Sequence, residues 1–231
     1  MIIDSIVLRT DQLEELRDFY LRILELRETE RHRNSFTVQI GHTSLIFKHI
    51  TSDTAPSPVY HVAVSIPENL FEEGKHWAKA RVQLNQESGT DEVYFSSWDA
   101  HSCYFEDPAG NVLELISRHQ LNNTGEPPFS SDDLLAVSEI ATGAHDVPAI
   151  VQQLNETGFP TLGTAYNAFA AVGDPHGLII IKKRGDRWYF SNQPVDIHPL
   201  DLTVNGGLTL AFRNEEGILS IRTSEPGMQE G

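Results

Sequence analysis

The sequence predicts an α+β fold built from tandem βαβββ modules. One strand, one helix and three further strands follow each other over residues 1–51, and the same order recurs over residues 59–119. A fainter copy covers residues 133–215, where the Asp-Pro-His-Gly turn at 174–177 echoes the Asp-Pro-Ala-Gly turn at 107–110. The chain is therefore expected to contain two clear modules and a third, degenerate one.

The first module begins with a predicted strand over Ile2–Arg9. Asp11 followed by Glu14 resembles a capping box and predicts that a helix begins there. The helix carries one apolar stripe, which consists of Leu13, Leu16, Tyr20, Ile23 and Leu24. Three further strands are predicted over Arg27–Arg33, Phe36–Ile40 and Ser44–Ile50.

The second module repeats these elements after a Pro-rich break at 52–58. A strand is predicted over Tyr60–Ile66 and a helix over Glu68–Val82. The remaining strands are predicted near Val93–Ser96, Ser102–Glu106 and Val112–Ser117. The Asp-Pro-Ala-Gly-Asn turn between the last two strands predicts an antiparallel hairpin, because Pro fixes φ and Gly or Asn accepts positive φ.

A polar linker over residues 122–132 separates the paired modules of residues 1–121 from the third module. In that module a strand is predicted over Leu135–Thr142, followed by a helix that Asp146 caps with Pro148 in its first turn. Further strands are predicted near Ala168–Val172 and Leu178–Lys182, with an additional β excursion over Arg187–Leu210. Residues 216–231 are expected to form a mobile tail.

The composition is strongly acidic, with 33 Asp and Glu against 17 Lys and Arg and a formal net charge of -16. This charge disfavours binding to nucleic acid or to an anionic membrane surface. The N-terminal segment has no long apolar run, so neither a signal peptide nor a membrane span is expected. The single cysteine, Cys103, excludes an intrachain disulfide framework and favours a cytoplasmic location.

Glu114 is a carboxylate at the centre of an apolar strand. Because side chains alternate between the two faces of a strand, Glu114 shares its face with Val112 and Ile116. An ionised carboxylate between two such neighbours is costly unless something pairs with it. The candidate partners are a cation, a histidine, a metal ion or water, and the function depends on which of them is present.

His61 is the candidate partner of Glu114. It shares one strand face with Ala63 and Ser65, while the opposite, apolar face is expected to meet the helices. If the four strands of this module form one sheet, His61 and Glu114 lie on its concave face. An imidazole nitrogen and a carboxylate oxygen suit a divalent ion such as Fe, Mn, Zn, Ni or Co. A buried His–Glu hydrogen bond without a metal is the alternative interpretation.

His101 lies on the same alternation face as Cys103 and Phe105. It is a candidate ligand, proton shuttle or substrate contact in the same cavity, with a hydrogen-bonded histidine at the sheet edge as the alternative. Cys103 is expected to serve in packing, because no adjacent base or helix N-terminus is evident that would lower the pKa of its thiol.

The chain resembles the vicinal oxygen chelate superfamily, which includes glyoxalase I, bleomycin-resistance proteins, fosfomycin-resistance enzymes and type I extradiol dioxygenases. The resemblance covers residues 1–119. It rests on Ile-Asp-Ser-Ile-Val-Leu at 3–8, the Phe-Tyr pair at 19–20, His-Val-Ala at 61–63 and, most specifically, the segment 104–115. It implies that paired modules curl into a cup and that metal ligands come from the first and last strands of each module.

Within this resemblance, His61 and Glu114 match the two ligands expected from the second module. The first module departs from the pattern, because Ser5 stands where a histidine is expected. Alignment of the glycines in the two hairpin turns likewise places Leu45 opposite Glu114. The two ligands expected from this module are therefore missing.

The resemblance leaves two functional hypotheses open. The first is a metal-dependent enzyme of dioxygenase or glyoxalase (lyase or isomerase) type that acts on a small oxygenated organic molecule. In that case His61 and Glu114 hold the ion, His49 or His101 can complete the site, and His101 is the preferred acid/base. The alternative is a metal-free protein of the bleomycin-resistance kind that binds a small molecule.

An odd number of modules also predicts assembly into a homodimer. If the first two modules close one cup, the sheet of the third module has no partner within the chain, and an uncovered sheet edge or face invites pairing. The dimer interface is expected to lie partly within residues 133–210.

Overall fold

A computed structural model describes residues 1–50 and 57–224 of the chain. Within these residues the chain forms two mixed sheets of seven and eight strands. The first module consists of β1 (Ile3–Thr10), α1 (Leu13–Asp18) with a π-helical turn over Phe19–Ile23, β2 (Arg27–His32), β3 (Ser35–Ile40) and β4 (Thr43–His49). The second module consists of β5 (His61–Ile66), α2 (Phe71–Lys79), β6 (Val93–Phe95), β7 (Ala100–Glu106) and β8 (Val112–Arg118).

The third module is also complete. A short 3-10 helix over Ser131–Asp133 leads into β9 (Ala136–Ala144), α3 (Val147–Glu156), β10 (Thr161–Tyr166), β11 (Phe169–Asp174) and β12 (Gly177–Lys183). After an irregular segment the described residues end in an antiparallel meander of β13 (Leu200–Val204), β14 (Leu208–Glu215) and β15 (Ile218–Ser224). The predicted α+β fold of tandem βαβββ modules is thereby confirmed.

The prediction that the first two modules share a cup is wrong. The second module pairs with the third, and their eight strands run in the order β10-β11-β12-β9-β5-β8-β7-β6. The first module instead pairs with the C-terminal meander, in the order β15-β14-β13-β1-β4-β3-β2. In both sheets the two halves meet through antiparallel pairing of their first strands, β5 with β9 and β1 with β13.

The burial of the central strands agrees with this pairing. Every residue of β5 and β9 is buried, which suits two neighbouring strands at the centre of a sheet that is covered on both faces. In contrast, β1 alternates between buried and half-buried residues, so only one of its faces is covered. Apolar side chains from both sheets and from the helices form one continuous core. The concave face of the eight-stranded sheet lies on the far side of that core and is called the cup below.

The pairing also removes the reason given for a homodimer. The third module has its partner within the chain, and the first module is extended by the meander. Dimer formation through residues 133–210 therefore stays a prediction, but an unpaired sheet of the third module no longer supports it. Light scattering of the purified protein tests it directly.

Several element boundaries differ from the sequence-based expectations. Asp11 does not cap α1, because the Asp11 carboxylate accepts a hydrogen bond from Ser57 and Gln12 is the N-cap residue. At α3 the predicted cap is present, with Asp146 Oδ1 accepting from the Ala149 amide at 3.1 Å. The predicted tail begins later than residue 216, since residues 218–224 form β15, and residues 225–231 lie outside the described part of the chain. No helix in the described ranges is long and apolar enough to cross a membrane.

Candidate metal centre

The cup contains a cavity of about 540 Å³ whose volume is typical of small-molecule sites. Three polar side chains lie at its base, namely His61, Glu114 and Glu139. The walls are mostly aromatic and include Trp98, Tyr104, Tyr166, Phe169, Trp188 and Tyr189. The cavity thus combines a polar base with apolar, ring-bearing walls.

Strand register brings His61 and Glu114 together. The parallel pairing of β5 with β8 sets Ala63 opposite Glu114 and His61 opposite Val112. Glu114 and His61 are therefore close neighbours on the same sheet face, with His61 Nε2 lying 3.3 Å from Glu114 Oε2. On the other side of Glu114, β7 places Tyr104 directly opposite. The predicted proximity of His61 and Glu114 is what the structure shows.

A β-bulge brings Glu139 to the same place. On β9, Glu139 pairs with Ala63 and Val137 pairs with Val64, so Ser138 is an extra residue in the ladder. This insertion lets both Ser138 and Glu139 contact the guanidinium of Arg118 on the concave face. One ligand-type atom from each of His61, Glu114 and Glu139 then lies within 4.8 Å of the other two.

The orientation of the His61 ring is fixed by the backbone. His61 Nδ1 lies 3.1 Å from the carbonyl oxygen of Val112, so Nδ1 carries the proton and donates it in the neutral imidazole. Nε2 is the ring nitrogen that faces Glu114. A backbone carbonyl that holds the far nitrogen in this way is typical of histidine ligands in metalloproteins.

Burial and neighbouring charges both act on the titration of these groups. Burial disfavours the charged imidazolium, but the hydrogen bond and charge of Glu114 together with the charge of Glu139 outweigh it and raise the pKa of His61. Burial raises the pKa of Glu139 to about 7, although the positive charge of Arg118 opposes this rise. Burial, followed by the charges of Glu114 and Glu139, raises the pKa of Tyr104 well above its usual range. Tyr104 is therefore a protonated phenol at neutral pH.

The donor set fits a divalent metal ion. One imidazole nitrogen and two carboxylate groups, all buried, converge from three strands, and such groups bind Fe, Mn, Zn, Ni or Co. A fourth ligand position, equivalent to Glu114 in the third module, is occupied by Ile180, because β12 pairs with β9 as β8 pairs with β5. Three protein ligands leave coordination positions for a substrate.

His101 does not belong to this site, contrary to the prediction. Tyr104 is three positions further along the strand, an odd offset, so the His101 side chain lies on the opposite face of β7, toward α2. There His101 Nδ1 lies 2.7 Å from His119 Nε2, and its ring packs between Phe71 and Tyr94. The predicted face shared with Cys103 was right, but that face belongs to the core.

The first module also lies apart from the cup. Ser5 and His49 are on β1 and β4 of the other sheet, so neither contributes to the three-residue cluster. The alignment that placed Leu45 opposite Glu114 was one residue out of register. Because Val7 pairs with Ile46, Ile46 occupies the equivalent position, while Leu45 is fully buried in the core.

Glu139 and Arg118 were missed by sequence reasoning. The signal for Glu139 was the Ser-Glu-Ile-Ala segment at 138–141, in which a carboxylate interrupts the first strand of the third module as His61 does in the second. Arg118 ends β8 and is only 3% exposed, which is rare for an arginine without a buried partner. A charge within an apolar strand therefore marked Glu139, whereas the burial of Arg118 against Glu139 is evident only from the structure.

An aromatic loop closes one side of the cup. Trp188 lies 5.6 Å from His61 between ring centroids, and Phe190 stacks on Tyr104 at 5.0 Å. Ser191 Oγ donates to Glu106 Oε1 at 2.5 Å, and this bond holds the loop on the end of β7. The sequence predicted an additional β excursion over Arg187–Leu210, but the described residues between β12 and β13 form no strand, and β13 begins at Leu200.

No family model matches the chain, and no curated protein matches it in sequence. Among solved structures, a proposed dioxygenase from Bacillus subtilis aligns with a TM-score of 0.65 and 14% identity over 98% of this chain and 86% of that chain. A single-residue variant of glyoxalase I from Zea mays aligns with a TM-score of 0.55 and 11% identity over 96% of this chain and 92% of that chain. The chain therefore has the vicinal oxygen chelate fold that the sequence resemblance implied.

Proposed function

We propose that this protein is a metal-dependent enzyme that acts on a small, oxygenated and largely planar organic molecule. The observation that carries the proposal is the convergence of His61, Glu114 and Glu139 at the base of a cavity of about 540 Å³. When a divalent ion is bound by these three residues, it supplies Lewis acidity that stabilises negative charge on substrate oxygens. Dioxygenase and lyase or isomerase chemistry both remain consistent with this arrangement.

The walls of the cavity favour a flat substrate. Rings from Trp98, Tyr104 and Trp188 contribute to its lining, and aromatic surfaces bind planar conjugated molecules by stacking. Burial and the two glutamates raise the pKa of Tyr104, so the phenol keeps its proton at neutral pH and can donate a hydrogen bond to a substrate oxygen. Its position directly across from Glu114 places this phenol next to the polar base.

One wall carries a positive charge. Lys182 lines the cavity and donates a hydrogen bond to the carbonyl oxygen of Arg187 at 2.6 Å. Burial lowers the pKa of Lys182, and the negative charge of Asp186 opposes this decrease. A substrate with an acidic or electron-rich group directed to Lys182 is therefore favoured.

Metal titration tests the proposal. Chelator-treated protein is titrated with Mn(II), Fe(II), Zn(II), Co(II) and Ni(II) by calorimetry, the iron under anaerobic conditions. We expect one ion per chain and at least a hundredfold weaker binding in Glu114→Gln, because the amide removes the anionic ligand. His42→Ala, at an exposed turn of the other sheet, is the control that retains binding. Absence of binding by the unaltered protein for all five ions contradicts the proposal.

A metal-free binding protein is the second candidate, and the contact between Arg118 and Glu139 is the observation that favours it. That ion pair neutralises one of the two carboxylates without any ion. In this case a planar probe such as 2-naphthoate binds equally well with and without chelator, and Glu114→Gln leaves its affinity unchanged within about threefold. Oxygen consumption or isomerisation by the metal-loaded protein counts against this candidate.

A further inference from the structure

Arg118 is a buried positive charge beside the proposed ligands. Its guanidinium forms an ion pair with Glu139, and both side chains are almost fully buried, at 3% and 4% exposure. Arg118 Nη1 also donates to Ser138 Oγ at 3.0 Å and to Ser65 Oγ at 3.4 Å. The two hydroxyl groups hold the guanidinium in place independently of the carboxylate.

Arg118 compensates one of the two carboxylates at the base of the cup. Glu114 and Glu139 are two buried carboxylates within 4.8 Å of the same imidazole, and buried charges of like sign are costly when nothing compensates them. Glu139 receives its compensation from Arg118, whereas Glu114 has the imidazole of His61 beside it. Each carboxylate is therefore compensated by a group that belongs to the chain itself.

A divalent ion changes this balance. The ion brings two positive charges to the carboxylates, and the guanidinium of Arg118 then becomes a like charge next to it. The Glu139 carboxylate also has to divide its oxygens between the guanidinium and the ion. Both effects weaken metal binding relative to the same three ligands without an arginine.

We infer that Arg118 is a positioning residue that takes the place of the metal charge in the empty site and competes with the ion for Glu139. This inference rests on the proposed function, because it presupposes that the three residues bind a metal. It predicts that the metal ion exchanges readily. The cup remains folded without the ion, and it binds the ion less tightly than the same three ligands would without an arginine beside them.

The Arg118→Met variant tests this inference, because it is expected to lower the stability of the metal-free protein and to tighten the binding of Mn(II). Methionine keeps an unbranched apolar stem but removes the charge, which leaves Glu139 buried and unpaired. In chelator-treated protein the melting temperature is expected to fall by about 5 °C or more. The Kd for Mn(II), measured by calorimetry, is expected to fall about tenfold or more, since the competing charge is gone. Arg9→Met, which breaks the Arg9–Asp201 ion pair of the other sheet, is the matched control and leaves this Kd unchanged.

A double variant gives a second readout. Arg118→Met combined with Glu139→Gln removes both charges of the buried pair, so the melting temperature of the metal-free protein is expected to recover most of the loss. If Arg118→Met alone does not fold without metal, Mn(II) added during refolding is expected to recover folded protein. Failure of Mn(II) to do so contradicts the inference.

The outcomes separate this inference from the proposed function. A Kd for Mn(II) that is unchanged or weaker in Arg118→Met overturns the competition while leaving the metal site in place. Absence of Mn(II) binding by the unaltered protein and by both variants overturns the metal site and the inference together. A tighter Kd together with a lower melting temperature of the metal-free variant supports both.

Discussion

The carboxylate of Glu139 and the imidazole of His61 approach within 4.8 Å although they belong to different modules. His61 lies on the first strand of the second module and Glu139 on the first strand of the third, and these strands pair at the centre of the eight-stranded sheet. The candidate metal centre therefore spans the junction between two modules. Any ion bound there links the two halves of the sheet.

This junction predicts that metal binding stabilises the folded chain. At an ion concentration about one hundred times the Kd, the free energy of unfolding rises by about 2.7 kcal/mol, which corresponds to roughly 5–10 °C in melting temperature. Scanning fluorimetry with and without Mn(II) measures the shift. We expect His61→Ala to abolish it and His42→Ala to retain it. A shift of the same size in all three proteins indicates that the ion binds elsewhere.

His101 is expected to be dispensable for the site. Its side chain contacts His119, Phe71 and Tyr94 on the core side of β7, so His101→Ala removes a hydrogen bond and ring contacts but no metal ligand. The free energy of unfolding is expected to fall by about 1–2 kcal/mol. Urea denaturation measures this loss, and calorimetry is expected to show a Kd for Mn(II) within twofold of the unaltered protein. A tenfold weaker binding of Mn(II) by His101→Ala would contradict this prediction and indicate that His101 contributes to the site.

The sequence could predict the modules, and within the second module it could predict the pairing of His61 with Glu114. Both follow from local signals, namely the alternation of side chains along a strand and the Asp-Pro-Ala-Gly-Asn turn that starts β8. The partner of each module could not be predicted in this way. Pairing of β5 with β9 depends on which strands are buried on both faces, and that property emerges only when all three modules pack together.

The errors in the site have different physical origins. Residue alternation placed His101 and Cys103 on one face correctly, but it cannot say which face of β7 is concave. The assignment of Leu45 failed because the two modules pair their strands at different distances from the turn glycine. The residue equivalent to Glu114 is Ile46, which lies one residue further from Gly41 than Glu114 lies from Gly110. Glu139 depends on a bulge at Ser138, and a bulge leaves no periodic signal in the sequence.

Gly41 is predicted to be required where the first module meets the third. Its φ is +52°, and a Cβ atom at this position would overlap the carbonyl oxygen of Leu135. Gly89 provides a matched control, since its φ is +83° and nothing lies within 4 Å of the equivalent Cβ. Gly89→Ala is expected to lower the free energy of unfolding by about 1–2 kcal/mol, which is the cost of the left-handed backbone alone.

Gly41→Ala adds a steric clash to the same backbone cost, so a loss of at least about 3 kcal/mol is expected. Urea denaturation of both variants measures the difference. Equal losses for the two substitutions would show that the turn of the first module does not press against Leu135.

Asp107 is predicted to make stability depend on pH. Burial raises its pKa to about 6, although hydrogen bonds from Asn111, Tyr20 and Ala109 oppose the rise. The unfolded value lies near 3.9, so between about pH 4 and pH 6 the folded chain binds the extra proton. The stabilising contribution is therefore fully present below about pH 4 and is lost as the pH rises through about 6.

The Asp107→Asn variant isolates this contribution, because its side chain stays neutral at every pH. Relative to the variant, the unaltered protein is expected to lose about 2 kcal/mol of stability between pH 4 and pH 7. Urea denaturation of both proteins at the two pH values gives the difference, and a constant offset from hydrogen bonding cancels. A difference that grows in the opposite direction means that the hydrogen bonds, rather than burial, dominate the pKa of Asp107.

The most direct test of the candidate metal centre is the metal content of Glu139→Gln, because Glu139 is the proposed ligand that connects the third module to the site. Protein loaded with Mn(II) and freed of excess ion is measured by elemental analysis beside the unaltered chain and Glu73→Gln, a substitution on α2 outside the cup. We predict about one ion per chain in the unaltered protein and in Glu73→Gln, and less than about a tenth of that in Glu139→Gln. Equal metal content in all three proteins, or no metal in any of them, would contradict the account.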